Sequence, residues 1–551
     1  MLHHARVYTL DWPEPDVNGR PAASAPWDSV SGWRPDASAI AIRGGRIIYV
    51  GNDSGALALA GTATQVVDLA NAVLLPGMVD AHTHVAELGA ARERINLTGI
   101  ATEAEAVARV VERAANTPKG EWILGWGWDE GAWADRYPDK RLLSERVPEH
   151  PVLLRGLHGF AAWANEQALA GAGITAETAS PVGGEIRYGA DGAPSGLFLN
   201  RAVELVDRAV PAPSAPQRDS QLAHVLHAMA EAGFAGVHEA GTPRDVVESL
   251  LRLDAAGALP IRVYALLDGR DSTLLREWSE RGPLLGKEGS NLVIRAVKAY
   301  YDGALGSRGA QLLGEYSDRP GTRGVSGAAY GFDQRSVAAV MVAGFQVGIH
   351  AIGDAGNRAS LDFIDSVGRA SPSARDLRHR IEHAQVVHPL DQPRFARLGV
   401  IASMQPPHAV EDMPWAGARL GPVRVRGAYA WRTLRQAGAR LAFSSDLPGS
   451  DWNLFYGWHS AMFRRDKAGT PAAGWFPGER MTAEETVRGY STWAAYAGFD
   501  EEDAGTIAVG KRADLTAVSL DPFRAKEGAE VLGGVVVVVI VGGKVVWMVS
   551  P

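Results

Sequence analysis

The sequence has no cysteine among its 551 residues. Without thiols the protein can form neither disulfide bonds nor a thiolate-bound zinc site, so any metal ion must be held by nitrogen and oxygen atoms. The absence of disulfides fits a reducing compartment, and we therefore expect a cytoplasmic protein.

The sequence also lacks an excess of positive charge. Its formal net charge of −8 and its isoelectric point near 6.0 leave no strongly basic surface. We therefore expect neither nucleic acid nor an anionic membrane surface as a partner.

Segments that would direct the chain to a membrane are missing as well. The longest apolar stretch, residues 535–541, reads VVVVVIV and is far too short to span a bilayer, so it predicts a buried strand. The first residues include acidic side chains and no basic segment followed by an apolar one, so we expect no secretory signal.

The length of the chain predicts more than one domain, because single hydrophobic cores stop growing at about 250 to 300 residues. Short β-branched runs alternate with Gly, Asp and Asn turns over residues 5–75. Similar runs return near the C-terminus, where Gly542 and Gly543 predict a hairpin turn. We predict a small β-sandwich domain built from residues 1–75 and 505–551, around a larger α/β domain of residues 76–504.

The larger region alternates strand-like and helix-like patterns, which predicts a parallel sheet. Eight apolar runs look like strands: MVDAH, FAGVHEAG, IRVYALLD, IRAVKAYYDG, QVGIHAIGD, RIEHAQ, VIASMQP and LAFSSD. Eight parallel strands close a (β/α)8 TIM barrel. The second run begins only near residue 234, whereas one βα unit takes about 30 residues. We therefore predict an insertion at about residues 100–220, after the first barrel strand.

Side chains that suit a metal site stand at the ends of several of these runs. The C-terminal ends of barrel strands meet on one face, so residues far apart in the sequence converge there. A single buried histidine is more often a structural residue, but the complete set favours a site for divalent metal ions. The candidates are His82, His84, Lys298, His350, His383 and Asp446.

The histidines divide into two groups. His82 and His84 are two residues apart, so on an extended strand both imidazoles point the same way and can reach one metal. His350 and His383 follow later strands and suit a second metal.

Lys298 and Asp446 suit other roles. An ammonium group cannot ligate a cation, but a desolvated lysine can become neutral and take up CO2 as a carbamate that bridges two metals. The alternative for Lys298, a solvated or salt-bridged lysine, would put a charge among the apolar neighbours of AVKAY. Asp446 could bind one metal and accept a proton from metal-activated water.

Segments spread over nearly the whole chain form a specific combination: GRIIYVG, LLPGMVDAHTH, GWGWDE, VKAYYDGALGSRGA, IHAIGDAGNRASLD, HRIEHAQ, SSDLPGSD, IAVGKRADLTAVSLDP and VGGKVVW. With them, the sequence resembles the amidohydrolase superfamily of metal-dependent barrel hydrolases. Within that superfamily it is most similar to the amidohydrolase 3 family, which includes N-substituted formamide deformylases.

The resemblance implies a binuclear centre with two divalent metal ions, zinc being the expected metal. All six candidate ligands match the family's pattern, with Lys298 as the bridging carbamate. The resemblance also implies that Asp302 and Arg308, in DGALGSR, line the site. A salt bridge between these two residues is the alternative.

One segment departs from the family's pattern. Many relatives read roughly DGHAAWVN where this chain has HGFAAWAN, which puts His158 where an acid is common and Phe160 where a histidine is common. With Trp128 of the tryptophan-rich insertion, these residues are expected to contact a substrate and to favour a hydrophobic or aromatic N-substituent. In the alternative interpretation, the tryptophans fill the insertion's own core.

These features predict a metal-dependent amidohydrolase. A metal-bridging hydroxide would attack the carbonyl carbon of an amide-like or N-substituted formamide-like C–N bond, and Asp446 would pass the proton to the leaving nitrogen. The alternatives are a deaminase, an ester, lactone or carbamate hydrolase, and a non-catalytic scaffold, which would be expected to lose ligands. The expected partner is a small-molecule substrate, with a homodimer as the assembly to test.

Overall fold

The structure is a computed structural model, and it describes residues 1–92, 94–128, 137–156, 161–181, 184–200 and 202–549. The chain divides into two compact units. One contains Met1–Glu87 and Leu222–Pro551, and the other contains Leu88–Gln221.

An eight-stranded sheet lies at the centre of the first unit and confirms the eight predicted strands. Its strands are β1 Met78–Thr83, β2 Phe234–Thr242, β3 Arg262–Asp268, β4 Leu292–Tyr300, β5 Gln346–Ala351, β6 Arg380–His383, β7 Ile401–Met404 and β8 Arg440–Phe443. Each strand pairs in parallel with the next along the chain.

The sheet forms a nearly closed barrel. The backbone N–H of Asp446, just beyond β8, donates to the carbonyl of His82 at 3.0 Å, and the N–H of His84 donates to the carbonyl of Leu447 at 2.9 Å. The barrel strands are buried along most of their length, as expected when both faces of a parallel sheet are covered. The C-terminal ends of all eight strands therefore share one mouth.

Helices alternate with the barrel strands and bury an apolar face. In the helix Arg244–Ala255, the buried residues Val246, Val247, Leu250 and Leu253 recur at helical spacing. The α-helices of the described residues are Asp53–Leu57, Val85–Arg92, Glu103–Ala114, Lys140–Arg146, Glu166–Gly171, Val203–Asp207, Ala215–Glu231, Arg244–Ala255, Ser272–Arg281, Gln334–Val342, Asp354–Ala370, Gln392–Leu398, Pro406–Glu411, Met413–Arg424, Trp431–Gln436, Leu454–Phe463, Ala483–Gly489, Thr492–Ala497 and Gly528–Leu532.

Two further sheets of the first unit contain the terminal segments. A five-stranded sheet has the order Arg6–Val7, Val73–Pro76, Leu515–Val518, Val536–Val541, Lys544–Met548, and a four-stranded sheet has the order Arg46–Gly51, Ala39–Arg43, Leu2–His3, Val67–Asp68. Trp27–Asp28 and Gly32–Trp33 form a short hairpin.

Both terminal regions contribute to one hydrophobic cluster, which includes Val7, Ile40, Leu515 and Val538. The predicted hairpin turn at residues 542 and 543 is present, with positive φ at both glycines. The packing of the two sheets as a sandwich stays a prediction.

The second unit, Leu88–Gln221, includes the whole stretch, about residues 100–220, in which the sequence predicts an insertion. Its six-stranded sheet has the order Ile95–Asn96, Ile123–Trp128, Val152–Gly156, Ala161–Ala164, Pro194–Asn200, Gly184–Tyr188. The first three strands are parallel and the others antiparallel. Within the part of the chain that the structure describes, no helix has the length and apolarity needed to cross a membrane.

Candidate metal centre

The ends of β1 and β8 bring three candidate ligands together. The Nε2 atoms of His82 and His84 lie 3.4 Å and 3.3 Å from Oδ1 of Asp446. The two backbone hydrogen bonds between these strand ends fix that approach, because one joins Asp446 to His82 and the other joins His84 to Leu447, the residue after Asp446. The three side chains could hold one metal ion.

Lys298, on β4, is buried beside this group. Its Nζ atom lies 2.8 Å from Nε2 of His82 and 5.2 Å from the centre of the Tyr300 ring. Burial lowers the pKa of Lys298 to about 8, because a charged ammonium group loses its hydration there. A substantial neutral fraction of this amine therefore exists near pH 8.

His350 and His383 complete the predicted set. Their ring centres are 4.5 Å apart, and Nδ1 of His383 lies 3.9 Å from Oδ2 of Asp446. Burial lowers the pKa of His350 to about 3 and that of His82 to about 4, so both imidazoles are neutral near pH 7. Nε2 of His350 is buried without a hydrogen-bond partner among the described residues, as expected of an atom whose partner is a metal ion.

A seventh side chain, His408, was not predicted from the sequence. It lies on the helix Pro406–Glu411, which follows β7, and its Nε2 atom is 3.5 Å from Oδ2 of Asp446. His383, His408 and Asp446 form a second group that could hold a metal ion. The feature of the sequence that could have indicated His408 is its position in MQPPH, two residues after the end of the seventh strand-like run.

Two of these residues have an unusual backbone conformation. His383 has a φ of 76° and Asp446 a φ of 62°, values in the left-handed region that side chains other than glycine rarely adopt. Such conformations persist where the surrounding structure imposes them, and they are common at functional sites.

The Asp446 carboxylate carries negative charge in this cluster. Burial by itself raises the pKa of Asp446, but the neighbouring His383 and His84 outweigh that effect and hold the pKa well below its usual range. Asp446 therefore remains ionised and can both ligate a cation and accept a proton.

Two buried carboxylates fasten the segment that carries the paired histidines. Glu239, on β2, accepts hydrogen bonds from the backbone N–H groups of Val85 at 2.6 Å and Ala86 at 3.1 Å. Asp80, on β1, accepts from the backbone N–H of Ser445 at 3.0 Å. Both carboxylates connect β1 to its neighbours in the barrel and thereby hold the mouth together.

Asp302 and Arg308 have separate partners. The Asp302 carboxylate accepts from the backbone N–H groups of Ile352, Gly353 and Gln311 at 2.8–2.9 Å, and Oδ1 lies 3.8 Å from Nε2 of His350. Burial raises the pKa of Asp302 to about 7 although these three hydrogen bonds oppose the change. Arg308 pairs instead with Asp318, with an Nη2–Oδ2 distance of 2.8 Å.

The insertion residues that were expected to contact a substrate are not placed at the metal centre by the described structure. Trp128 has no exposed surface, belongs to a hydrophobic cluster of the insertion, and donates its indole N–H to the carbonyl of Leu154 at 2.9 Å. This position fits the alternative interpretation, that the ring fills the insertion's own core, because a side chain without exposed surface offers none to a substrate. His158 and Phe160 lie outside the described residues.

Comparison with known proteins matches the sequence to a family. A model of the amidohydrolase family matches residues 65–547, which include the whole barrel and all six predicted ligands. The protein LONG AFTER FAR-RED 3 of Arabidopsis thaliana is 32% identical over 528 residues, which cover 93% of this chain and 88% of that protein.

Two further proteins are similar over most of their length. The N-substituted formamide deformylase of Arthrobacter pascens is 28% identical over 510 residues, which cover 89% of this chain and 92% of the deformylase. The crystal structure of an uncharacterized metal-dependent hydrolase from Pyrococcus furiosus aligns with a TM-score of 0.75 and 25% identity, covering 95% of this chain and 99% of the other.

Proposed function

We propose a specific reaction for this chain, which belongs to the amidohydrolase family and is a metal-dependent hydrolase. In this proposal it hydrolyses the C–N bond of a small amide, of the N-substituted formamide type, that carries a hydrophobic N-substituent. The observation that carries the proposal is the meeting of six nitrogen and oxygen donors from five strand ends at the barrel mouth.

Two divalent metal ions, with zinc as the expected metal, suit these donors. His82, His84 and Asp446 would hold one ion, and His350 and His383 would hold the other. The neutral imidazoles and the unpartnered Nε2 atom of His350 support this assignment. When bound, such ions supply Lewis acidity for a carbonyl oxygen and make a water molecule more acidic.

Lys298 would join the two halves of the site as a carbamate. Its lowered pKa leaves part of the amine neutral at physiological pH, and a neutral amine nitrogen can form a bond to the carbon of CO2 while releasing one proton. The product is an anion, and its oxygens would supply further ligands for the divalent ions.

Asp446 would transfer the proton. Its carboxylate stays ionised, lies within 3.5 Å of three imidazole nitrogens, and can accept a proton from water and return it to the leaving nitrogen. The amine then leaves as a neutral molecule, and the carboxylate is regenerated.

The substrate class is supported by the deformylase relative rather than by the insertion. That relative's name specifies an N-substituted formamide. The sequence predicted that Trp128 contacts a hydrophobic group of the substrate, but its side chain has no exposed surface. The expectations of a cytoplasmic protein and of a homodimer stay predictions.

A panel assay with matched substrates tests the reaction. Purified protein with measured zinc content is incubated with N-aryl and N-alkyl formamides, acetamides and carbamates, beside a lactone and a phosphoester. We expect turnover of one or more amides, and loss of that turnover in Asp446→Asn. If every amide is inert while the lactone or phosphoester is hydrolysed, the proposed reaction is wrong. If nothing is hydrolysed by fully zinc-loaded protein, the scaffold alternative is favoured.

A further inference from the structure

The two histidines at the centre of the mouth have different partners on their far side. Nδ1 of His82 lies 2.6 Å from Oε2 of Glu382, on β6. Nδ1 of His383 lies 2.9 Å from Oε1 of Gln405, which follows β7. One imidazole is therefore hydrogen-bonded to a carboxylate and the other to a neutral amide.

The Glu382 carboxylate is held ionised by Arg380. These residues are two apart on β6 and point the same way, and both are fully buried. Nε of Arg380 lies 2.8 Å from Oε1, and Nη2 donates to Oε2 at 3.1 Å. The guanidinium at this distance stabilises the charged form of the carboxylate.

An ionised carboxylate can only accept hydrogen bonds, so Nδ1 of His82 must be the donor. That assigns the remaining lone pair of His82 to Nε2, the atom that faces Lys298 and Asp446. The guanidinium of Arg380 is itself fixed, because it also donates to Oγ of Ser403 at 2.8 Å.

A glycine makes room for this carboxylate. A Cβ atom at Gly348, on β5, would lie 2.5 Å from Oε1 of Glu382, closer than non-bonded atoms approach. The position of the carboxylate inside the barrel thus depends on the absence of a side chain on the neighbouring strand.

The Gln405 amide has a defined orientation. Its Nε2 atom donates to Oγ of Ser444 at 3.0 Å, and that hydroxyl in turn donates to the carbonyl of Met404 at 3.4 Å. Oε1 of Gln405 must therefore face His383 and accept its Nδ1–H. This partner carries no charge.

We propose that Glu382 and Gln405 are positioning residues that give His82 and His383 unequal strength as metal ligands, so that the ion on His82 is held more tightly than the ion on His383. A hydrogen bond to a carboxylate raises the basicity of a ligating imidazole more than a bond to a neutral amide does. The inference rests on the proposed function, because it needs two bound ions.

Zinc removal measures the difference directly. Zinc-loaded protein is equilibrated with chelators of increasing strength, and bound zinc is counted by mass spectrometry of the metal. Wild type should lose its two ions in two separate steps. In Glu382→Gln the tighter step should weaken by about 10- to 100-fold, the usual effect of removing such a partner, while the weaker step stays unchanged.

The reciprocal variant keeps the inference testable if Glu382→Gln does not fold. Gln405→Glu gives His383 a carboxylate partner, and its weaker step should move toward tighter binding while the tighter step stays unchanged. Loss of both ions in one step from wild type, or steps that neither variant shifts, would overturn the inference.

A control variant distinguishes the effect of losing any buried ion pair from the effect of losing the pair between Glu382 and Arg380. Glu484 and Arg488 form another buried pair, with an Oε1–Nε distance of 3.0 Å, outside the metal centre. Glu484→Gln should leave both zinc steps as in wild type. If it shifts the tighter step as far as Glu382→Gln does, general destabilisation explains the effect and the inference is refuted.

The same measurements distinguish this inference from the proposed function. Two ions lost in steps that the variants shift as expected, from a protein that hydrolyses no amide, would support the inference and refute the proposed reaction. Amide hydrolysis with two ions that the variants do not affect would do the reverse. A single bound ion would refute the two-metal site and the inference together.

Discussion

Replacing Lys298 with methionine should increase the free energy of unfolding of the metal-free protein. The same substitution should abolish metal binding. Methionine keeps the length and much of the apolar stem of lysine but has no charge to desolvate. The pKa of Lys298 falls from the ordinary 10.5 to about 8 in the folded chain. At 1.36 kcal/mol per pKa unit, this difference corresponds to about 3 kcal/mol of stability that burial of the ammonium group removes.

The effect has a definite pH dependence. An unfolded lysine binds its proton up to about pH 10.4, whereas the folded protein binds it only up to about pH 8, so between these values the unfolded state holds more protons. Stability of the wild-type apoprotein should therefore rise with pH across this window. Below pH 8 the full penalty remains, and above the window it disappears.

Urea unfolding of apoprotein in CO2-free buffer, followed by tryptophan fluorescence, measures both effects. At pH 7 we expect Lys298→Met to be about 3 kcal/mol more stable than wild type, and the advantage should shrink as pH rises toward 10. Lys298→Arg is the matched control, because guanidinium keeps its charge and cannot be carboxylated, so it should gain no stability. Neither variant should retain zinc or activity.

The reasoning would be refuted by Lys298→Met apoprotein that is no more stable than wild type at pH 7, or by an advantage that does not change with pH. Retention of full zinc content by Lys298→Met would refute the bridging role instead. Partial rescue of zinc binding in Lys298→Ala by added short carboxylic acids would support that role, because a free carboxylate can replace the carbamate.

Three other substitutions test Asp446, His408 and the position of Trp128. Asp446→Asn should stay folded with turnover reduced about 10²- to 10⁴-fold in steady-state kinetics, because an amide cannot accept the proton, and near-normal turnover would place the proton acceptor elsewhere. His408→Ala should keep its zinc, measured by metal analysis, because six other ligands remain. Its pH–rate profile should have an acidic limb moved to higher pH, because His408 helps to lower the pKa of Asp446; loss of zinc would instead make His408 a ligand. Trp128→Ala should lower the melting temperature, with a loss of about 3 to 5 kcal/mol, and should reduce activity on large and small substrates equally. A selective loss on large N-substituents would show that the ring contacts substrate after all.

Much of the barrel was predictable because its strands are local features. Each of the eight strand-like runs, from MVDAH to LAFSSD, became a strand of the central sheet in the predicted order. A buried parallel strand needs a continuous apolar run, and that pattern is visible in a few consecutive residues. Because parallel strands of a barrel share one mouth, the order of the strands also predicted that His82, Lys298 and Asp446 would meet.

The contacts behind the predicted ligands could not be found in the same way. Glu382 is the third residue of RIEH, and nothing in that run indicates that its carboxylate contacts His82 on β1. The space for it is made by Gly348, on a different strand. His408 depends likewise on the path of the chain after β7.

The sequence by itself determined the strand order, the metal-ligand candidates and the family. Only the tertiary structure decided which side chains support those ligands, and it placed Trp128 in a core rather than at an exposed surface. The physical reason is that a strand's apolar pattern is set by its own residues. Hydrogen-bond partners, free space and burial are set by neighbours that the fold supplies from distant parts of the chain.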